Sequence, residues 1–209
     1  MGEQTVYIDP SLIDALRSKQ QRLFKDAPKA DVILFTHDHP DHCDPASYAG
    51  FLKEDTLLVG PASCANKLGA GHRIVEPGTE LTVGAFNIRA VPAYNIARHR
   101  SPGKPFHPKG TGVGYLVTME GRSLYHAGDT EPIPEMANLG PVDVALFPTD
   151  GHYTMSPEEV MQAASTVAAR LTIPMHFFNT TPEDIASVAR SHTDVRLRLL
   201  EIGDTYDLP

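Results

Sequence analysis

The sequence predicts an α/β fold in which two β-sheets pack face to face with helices on their outer faces. Three observations predict it. Apolar runs of strand length recur along the chain, Gly and Pro punctuate them, and two well-marked helix starts alternate with strands in the last third. The resulting order is strands, helix, strands, then strand-helix-strand-helix-strand, which suits two packed sheets with outer helices. A chain of 209 residues with 41% hydrophobic and 21% charged residues fits one globular domain spanning 1–209.

The elements follow in order. Val6-Tyr7-Ile8 reads as a short strand, with a helix after it through Leu12, Ile13 and Leu16. Ala30 to Thr36 is a buried strand. Asp44-Pro45 starts a helix, with Asp as cap and Pro at the first helical position. Thr56 to Val59 is a strand and Ser63 begins a helix. Strand signals then dominate: Arg73-Ile74-Val75, Glu80 to Val83 and Phe86 to Val91. Asn95 to Gly112 is a long loop rich in Pro, Gly and cations, the kind that is functional or mobile in a compact domain. Gly114 to Met119 and Ser123 to His126 form a hairpin across Glu120-Gly121-Arg122, and Val142 to Phe147 is a further buried strand. Ser156-Pro157-Glu158-Glu159 is a capping box that opens a helix burying Val160, Ala164, Val167 and Leu171. Leu171 to Phe178 is a strand, Thr181-Pro182-Glu183-Asp184 opens a helix with Ile185, Val188 and Ala189 on its apolar face, and Val195 to Ile202 is the last strand.

With 18 Lys+Arg against 26 Asp+Glu, the formal net charge is −8. This argues against nucleic acid and anionic membranes as partners, since both need a basic field. An anionic small molecule stays open, because bound metal ions reverse the local sign. No apolar run approaches the roughly 18 residues of a membrane span, and Met1-Gly2-Glu3-Gln4 lacks the features of a signal peptide. Cys43 and Cys64, the only cysteines, make no disulfide framework, so a cytoplasmic setting is expected. Cys43 follows His42 and reads either as a neighbour of a metal site or as a buried thiol.

The most informative stretch is His37-Asp38-His39-Pro40-Asp41-His42, directly after Val32-Ile33-Leu34-Phe35. His37 and His39 are two apart, which puts them on one side of an extended segment. Pro40 fixes its own φ and keeps His39 out of α geometry, so the chain can bend and return Asp41 and His42 toward the first pair. Imidazole and carboxylate suit zinc, iron, manganese or nickel. Gly128-Asp129-Thr130 follows a strand and reads either as a further metal-ligating turn or as a simple Asx turn. Gly203-Asp204-Thr205 repeats the tripeptide with no ligand-bearing segment after it, so Asp204 reads as a turn residue.

The pattern His37-x-His39-x-Asp41-His42 with Gly128-Asp129-Thr130 resembles the metallo-β-lactamase superfamily. Ala93-Tyr94-Asn95, Phe106-His107-Pro108-Lys109-Gly110 and Tyr125-His126-Ala127-Gly128-Asp129-Thr130 resemble its subgroup of small metal-dependent hydrolases. The resemblance implies a four-layered αββα sandwich. Relatives carry one or two strands before the equivalent of Tyr7-Ile8-Asp9-Pro10, so it also implies a shortened first sheet or an edge covered by a partner subunit, and with that a homo-oligomer.

The same resemblance implies a ligand set: His37, His39 and His107 on one metal, Asp41, His42 and His176 on a second, and Asp129 bridging. His99 competes with His107, and His152 with His176. His126 is expected to support a ligand from behind. The implied activity is hydrolysis of a small ester, lactone, thioester or phosphodiester by a hydroxide bridged between two divalent metals, most readily Zn2+, with Mn2+, Fe2+ or Ni2+ as alternatives and Asp41 as the catalytic carboxylate. Lys109, Asn95, His152 and Asn179 are the candidate substrate contacts. Arg98, Arg100, Lys104 and Lys109 read equally as anion-binding groups or as solvated loop charges. Two other classes stay open: a mononuclear iron oxidoreductase of the same superfamily, and a metal-binding protein without catalysis.

Overall fold

A computed structural model describes residues 4–11 and 26–208. The predicted helix through Leu12, Ile13 and Leu16 lies outside the described residues. The first sheet has the order β1 (Val6–Ile8), β2 (Val32–Leu34), β3 (Leu57–Gly60), β4 (Arg73–Ile74), and every neighbouring pair is parallel. The second sheet contains β5 (Glu80–Val83), β6 (Phe86–Ala93), β9 (Gly112–Met119), β10 (Arg122–His126), β11 (Val144–Pro148) and β12 (Leu171–Met175), in the order β12-β11-β10-β9-β6-β5. Its β10, β11 and β12 run parallel, and its other pairs are antiparallel. A small ribbon, β7 (His99–Ser101) with β8 (Lys104–Pro105), lies in the segment expected to be plain loop.

The layers follow from which faces are apolar. Val32, Leu34 and Val59 of the first sheet pack on Phe86, Ile88, Ala90, Val113, Tyr115 and Val117 of the second. Ile33 and Phe35 point the other way, as strand alternation requires, onto Cys43, Tyr48, Phe51, Cys64 and Leu68. Those residues belong to or flank α1 (Pro45–Tyr48) and α2 (Ala65–Leu68). On the far face of the second sheet, Tyr125, Ala145 and Phe147 pack on Val160, Met161, Ala164 and Val167 of α3 (Pro157–Val167) and on Ile185 of α4 (Pro182–Ala189). The result is helix, sheet, sheet, helix. Burying β2 on both faces explains its uninterrupted apolar run.

Local signals set the element ends. Asp44 caps α1 by accepting the Ala46 N–H at 3.2 Å. Ser156 Oγ accepts the Glu159 N–H at 3.3 Å while Glu159 Oε2 accepts the Ser156 N–H at 2.8 Å, a complete capping box. Thr181 and Asp184 repeat the arrangement at α4. The β9–β10 hairpin turns through Glu120 (φ 50°) and Gly121 (φ 77°), the doubly positive φ of a two-residue turn that matches strand twist.

Two expectations are corrected. Leu171 is not on the α3 stripe: the helix ends at Ala168, which is left-handed at φ 52°, and Leu171 opens β12. Val195 to Ile202 does not form a strand. It makes one bridge, with Thr172 N–H donating to Arg196 O and Arg198 N–H to Thr172 O. The next donor on that edge of β12 would be residue 174, which is proline and has no N–H, so the ladder stops.

The Ser156 cap gives a test of the fold reading. Ser156→Ala is expected to lower unfolding free energy by about 1 kcal/mol in chemical denaturation, without changing metal content.

Candidate metal centre

The site lies beyond the carboxyl ends of the parallel strands. β1 leads into Asp9, β2 into Thr36 and the histidine loop, β10 into Asp129, β11 into Asp150, and β12 into His176. Loops leaving parallel strands converge at such ends. The side chains brought together are His37, His39, His107 and Asp129 in one group and Asp41, His42 and His176 in another. His37 also forms a group with Asp9 and His42.

Asp129 joins the two halves. Its Oδ2 faces His107 Nε2 at 3.2 Å and His37 Nε2 at 3.8 Å. Its Oδ1 faces His42 Nε2 at 3.5 Å and His176 Nε2 at 3.7 Å. Asp41 Oδ2 completes the second half at 3.6 Å from His42 Nε2 and 3.5 Å from His176 Nε2. His37 Nε2 and Asp129 Oδ1 are buried without a hydrogen-bond partner. A buried polar atom with no partner is costly, and divalent cations among these atoms would satisfy both. The donor set, imidazole nitrogen with carboxylate oxygen, suits Zn2+ and its neighbours.

Bonds behind the rings fix which nitrogen faces inward. His42 Nδ1 pairs with Asp9 Oδ2 at 2.8 Å, and His107 Nδ1 with Asn95 Oδ1 at 2.7 Å. His37 Nδ1 lies 2.9 Å from Thr36 Oγ1, which itself donates to Asp9 Oδ2 at 2.6 Å. Each arrangement leaves Nε2 directed to the cluster. Behind His176, Asp150 Oδ2 lies 3.7 Å from Nδ1. Asp150 is fully buried and accepts the N–H groups of His152 (2.7 Å) and Tyr153 (2.5 Å).

The backbone is shaped to the same end. Gly128 has φ 65°, and a Cβ there would meet Val113 O at 2.8 Å, so glycine lets the Asp129 turn pack against β9. His176 (φ 54°) and Asp9 (φ 46°) are left-handed without being glycine, a conformation that costs energy and concentrates at functional sites.

Protonation follows the packing. Burial, and then the nearby His42 charge, hold His37 well below the usual imidazole range. Burial alone would depress His42, but the carboxylates of Asp129 and Asp9 outweigh it and raise His42 well above that range. His176 is also raised: Asp41 and Asp129 overcome its burial. Burial pushes Asp129 upward, yet His42 and His107 hold it well below the carboxylate range.

Of the competing residues, His107 is in the cluster, whereas His99 is exposed on β7 with its Nδ1 against Ala97 O. His176 is in the cluster, whereas His152 is exposed and meets the Tyr153 ring edge to face, with ring centroids 4.5 Å apart. His126 is buried, and its Nδ1 accepts the Gly128 N–H at 3.2 Å, bracing the Asp129 turn. Asp204 is an exposed turn residue that accepts the Glu201 N–H.

Two cavities of about 400 and 380 Å³ open beside the cluster. None of Asn95, Lys109, His152 and Asn179, the residues expected at the substrate, lines either one. Asn95 is instead spent on His107, accepting its backbone N–H at 2.7 Å, and on the Tyr153 carbonyl. Lys109 pairs with Glu135 at 2.8 Å and lies over the Tyr94 ring. Asn179 is exposed, and its N–H donates to Asp150 O. Sequence reasoning gave no role to Asp9, Asp150 or Glu131. Asp9 directly follows the first strand, which is the only local sign of its position.

The Beta-lactamase superfamily domain matches residues 1–176. The chain belongs to the beta-lactamase superfamily. A UPF0173 metal-dependent hydrolase of Methanoculleus marisnigri is 30% identical over 217 residues, covering 99% of this chain and 91% of the relative. A crystal structure from Parabacteroides distasonis, described as a metal-dependent hydrolase, matches with a TM-score of 0.81 at 30% identity, covering 94% of this chain and 84% of that one. YhfI of Bacillus subtilis, a metallo-beta-lactamase fold protein, matches with a TM-score of 0.71 over 95% of this chain and 84% of that one, at 15% identity, and bears on the fold alone. This beta-lactamase superfamily member is therefore a metal-dependent hydrolase with the metallo-beta-lactamase fold. No helix among its described residues is long and apolar enough to cross a membrane.

Two outcomes test the site. Asp9→Ala and Asn95→Ala should each weaken metal binding by roughly 10–100-fold, read by competition with a chromophoric chelator. The carboxylates of Asp129 and Asp9 raise His42 well above the imidazole range, so it holds a proton in the metal-free protein that a metal must displace. Calorimetry in two buffers of different ionisation heat should show protons released at pH 7 and affinity rising with pH. Metal uptake without proton release contradicts this account.

Proposed function

We propose that the enzyme is a dinuclear hydrolase acting on a small ester, lactone, thioester or phosphodiester. The observation that carries the reading is the Asp129 carboxylate, whose two oxygens each face a different pair of imidazoles. His37, His39 and His107 would hold one metal and Asp41, His42 and His176 a second, with Asp129 shared between the two groups. Zn2+ fits the donors best, and Mn2+, Fe2+ or Ni2+ also suit them. When bound, two such metals supply a water of pKa near 7 and polarise the scissile oxygen.

The chain's own residues do the rest. Asp41 keeps 42% of its side-chain surface exposed, whereas Asp129 keeps 4%. Asp41 is thus the carboxylate of the cluster that reaches solvent and substrate. Although burial pushes it upward, its hydrogen bond to His176 and the His42 charge hold it below the usual carboxylate range, so it is ionised. It orients the attacking water, accepts its proton and passes it to the leaving group. Asp129, buried and ionised, keeps the two halves of the cluster in register. The substrate is a small molecule, since the cavities are a few hundred Å³ each. The free, buried thiols of Cys43 and Cys64 suit a reducing cytoplasm.

A panel of lactones, thioesters and phosphodiesters offered to the metal-loaded protein tests this. At least one class should turn over, and Asp41→Asn should lower kcat by about 10²-fold or more when compared with wild type at matched metal loading. Turnover of none by wild type with two metals bound, or full activity in the variant, would contradict the proposal.

A further inference from the structure

Four cations sit in or beside the segment that carries His107, and the structure separates them. Arg98 is committed: its guanidinium pairs with Glu131 at 3.2 Å and with Glu159 at 2.5 Å. Lys109 is committed to Glu135. Lys104 lies on β8 and lines neither cavity beside the cluster. Arg100 lines both. Among the described residues no carboxylate pairs with it. Its guanidinium makes one bond, to Phe106 O at 3.2 Å, and lies 5.9 Å from the centroid of the Phe106 ring.

The position of Arg100 is built. Glu131 is buried and accepts the N–H groups of Ile96 (2.6 Å), Ala97 (2.7 Å) and Arg98 (2.7 Å), anchoring the start of β7. Those three bonds overcome the cost of burying its charge and hold its carboxyl below the usual range. The Arg98–Glu159 pair then ties the β7–β8 ribbon to the first turn of α3. Arg100 and Phe106 both reach the space beside His39, His107 and Asp129, which Pro108, Thr111 and Gly112 of the same segment also line. The smaller cavity is walled by Pro40, Phe106 and Tyr153, and the rings of Phe106 and Tyr153 meet edge to face at 4.9 Å. An unpaired guanidinium beside an apolar wall is a recognition pair for an anion attached to an apolar group.

We propose that Arg100 is the specificity-determining residue of this hydrolase: it binds a negatively charged group next to the scissile bond, while Phe106 and Tyr153 hold an apolar group. The inference rests on the hydrolase reading of the same site and narrows its substrates to amphiphilic anions. Phosphoryl and carboxylate groups share the chemistry that Arg100 would recognise.

The test uses the metal-loaded protein, Arg100→Met and Arg100→Lys, and three non-hydrolysable probes: 4-nitrobenzylphosphonate, 4-nitrobenzoate and 4-nitrobenzyl alcohol. Calorimetry should show binding of at least one anion weakened on the order of 10-fold in Arg100→Met, partly restored in Arg100→Lys, with the alcohol unchanged. Loss for the phosphonate alone identifies a phosphoryl substrate, and loss for both anions identifies a general anion. Unchanged binding of both anions, or equal loss for the alcohol, overturns the proposal. In parallel, kcat/KM for bis(4-nitrophenyl) phosphate should fall in Arg100→Met through KM, while that for neutral 4-nitrophenyl butyrate holds. If wild type hydrolyses neither ester nor any member of the panel above, the dinuclear hydrolase proposal fails, and the probe titrations alone decide the role of Arg100.

Discussion

Everything at the site depends on burying one carboxylate, Asp129, between two sets of imidazoles. An isolated ionised carboxylate is expensive to bury, and it persists only when paired. Here His42 and His107 hold Asp129 ionised, and its unpartnered Oδ1 leaves a binding demand that protein atoms alone do not meet. The neighbouring imidazoles offset the cost of its burial, and the unmet demand of its second oxygen links the folded geometry to metal binding.

The constraint reaches back into the scaffold. Gly128 lets the Asp129 turn lie against β9, and Gly114 does the same from the other side: a Cβ on it would come within 2.8 Å of the His126 and Ala127 carbonyl oxygens. Asp9, on a different strand from the histidine loop, fixes both Thr36 and His42. Those bonds lie within the first sheet, and the contacts of Asp129 with His37 and His42 join the two sheets at the site as well as through the core between them. Two of the four left-handed non-glycine residues among those described, Asp9 and His176, lie at this junction, and the other two sit in the β9–β10 turn and at the end of α3. Glu131 performs the analogous task for the β7–β8 ribbon, converting a loop of cations into one fixed pair and one available guanidinium.

Much of this was legible in the sequence, and the reasons differ by element. The histidine loop and the capping boxes at Ser156 and Thr181 are short-range patterns, so spacing carries their geometry, whereas the reading of Asp129 as a shared ligand came from the family resemblance. The αββα layering was legible because β2 is apolar on both faces while α3 and α4 are apolar on one. The resemblance of Phe106 to Gly110 to a hydrolase subgroup pointed to His107 over His99, and the structure adds the cause, which is the Asn95 amide behind the ring. The place of Asn95 behind His107 was not legible, because a buried amide serving a histidine and an exposed amide serving a substrate look alike in sequence. The roles of Asp9, Asp150 and Glu131 depend on which strands are neighbours, and no local pattern records that. The alternation from Val195 to Ile202 promised a strand, but a strand needs a partner edge with donors, and Pro174 removes one.

The most direct test of the account is metal content by elemental analysis, on wild type and Asp129→Ala purified without chelator and reconstituted identically. The account predicts close to two divalent ions per chain in wild type and a clear drop in the variant, because both halves of the cluster share Asp129. One ion per chain in wild type, or two retained after Asp129 is removed, would contradict it.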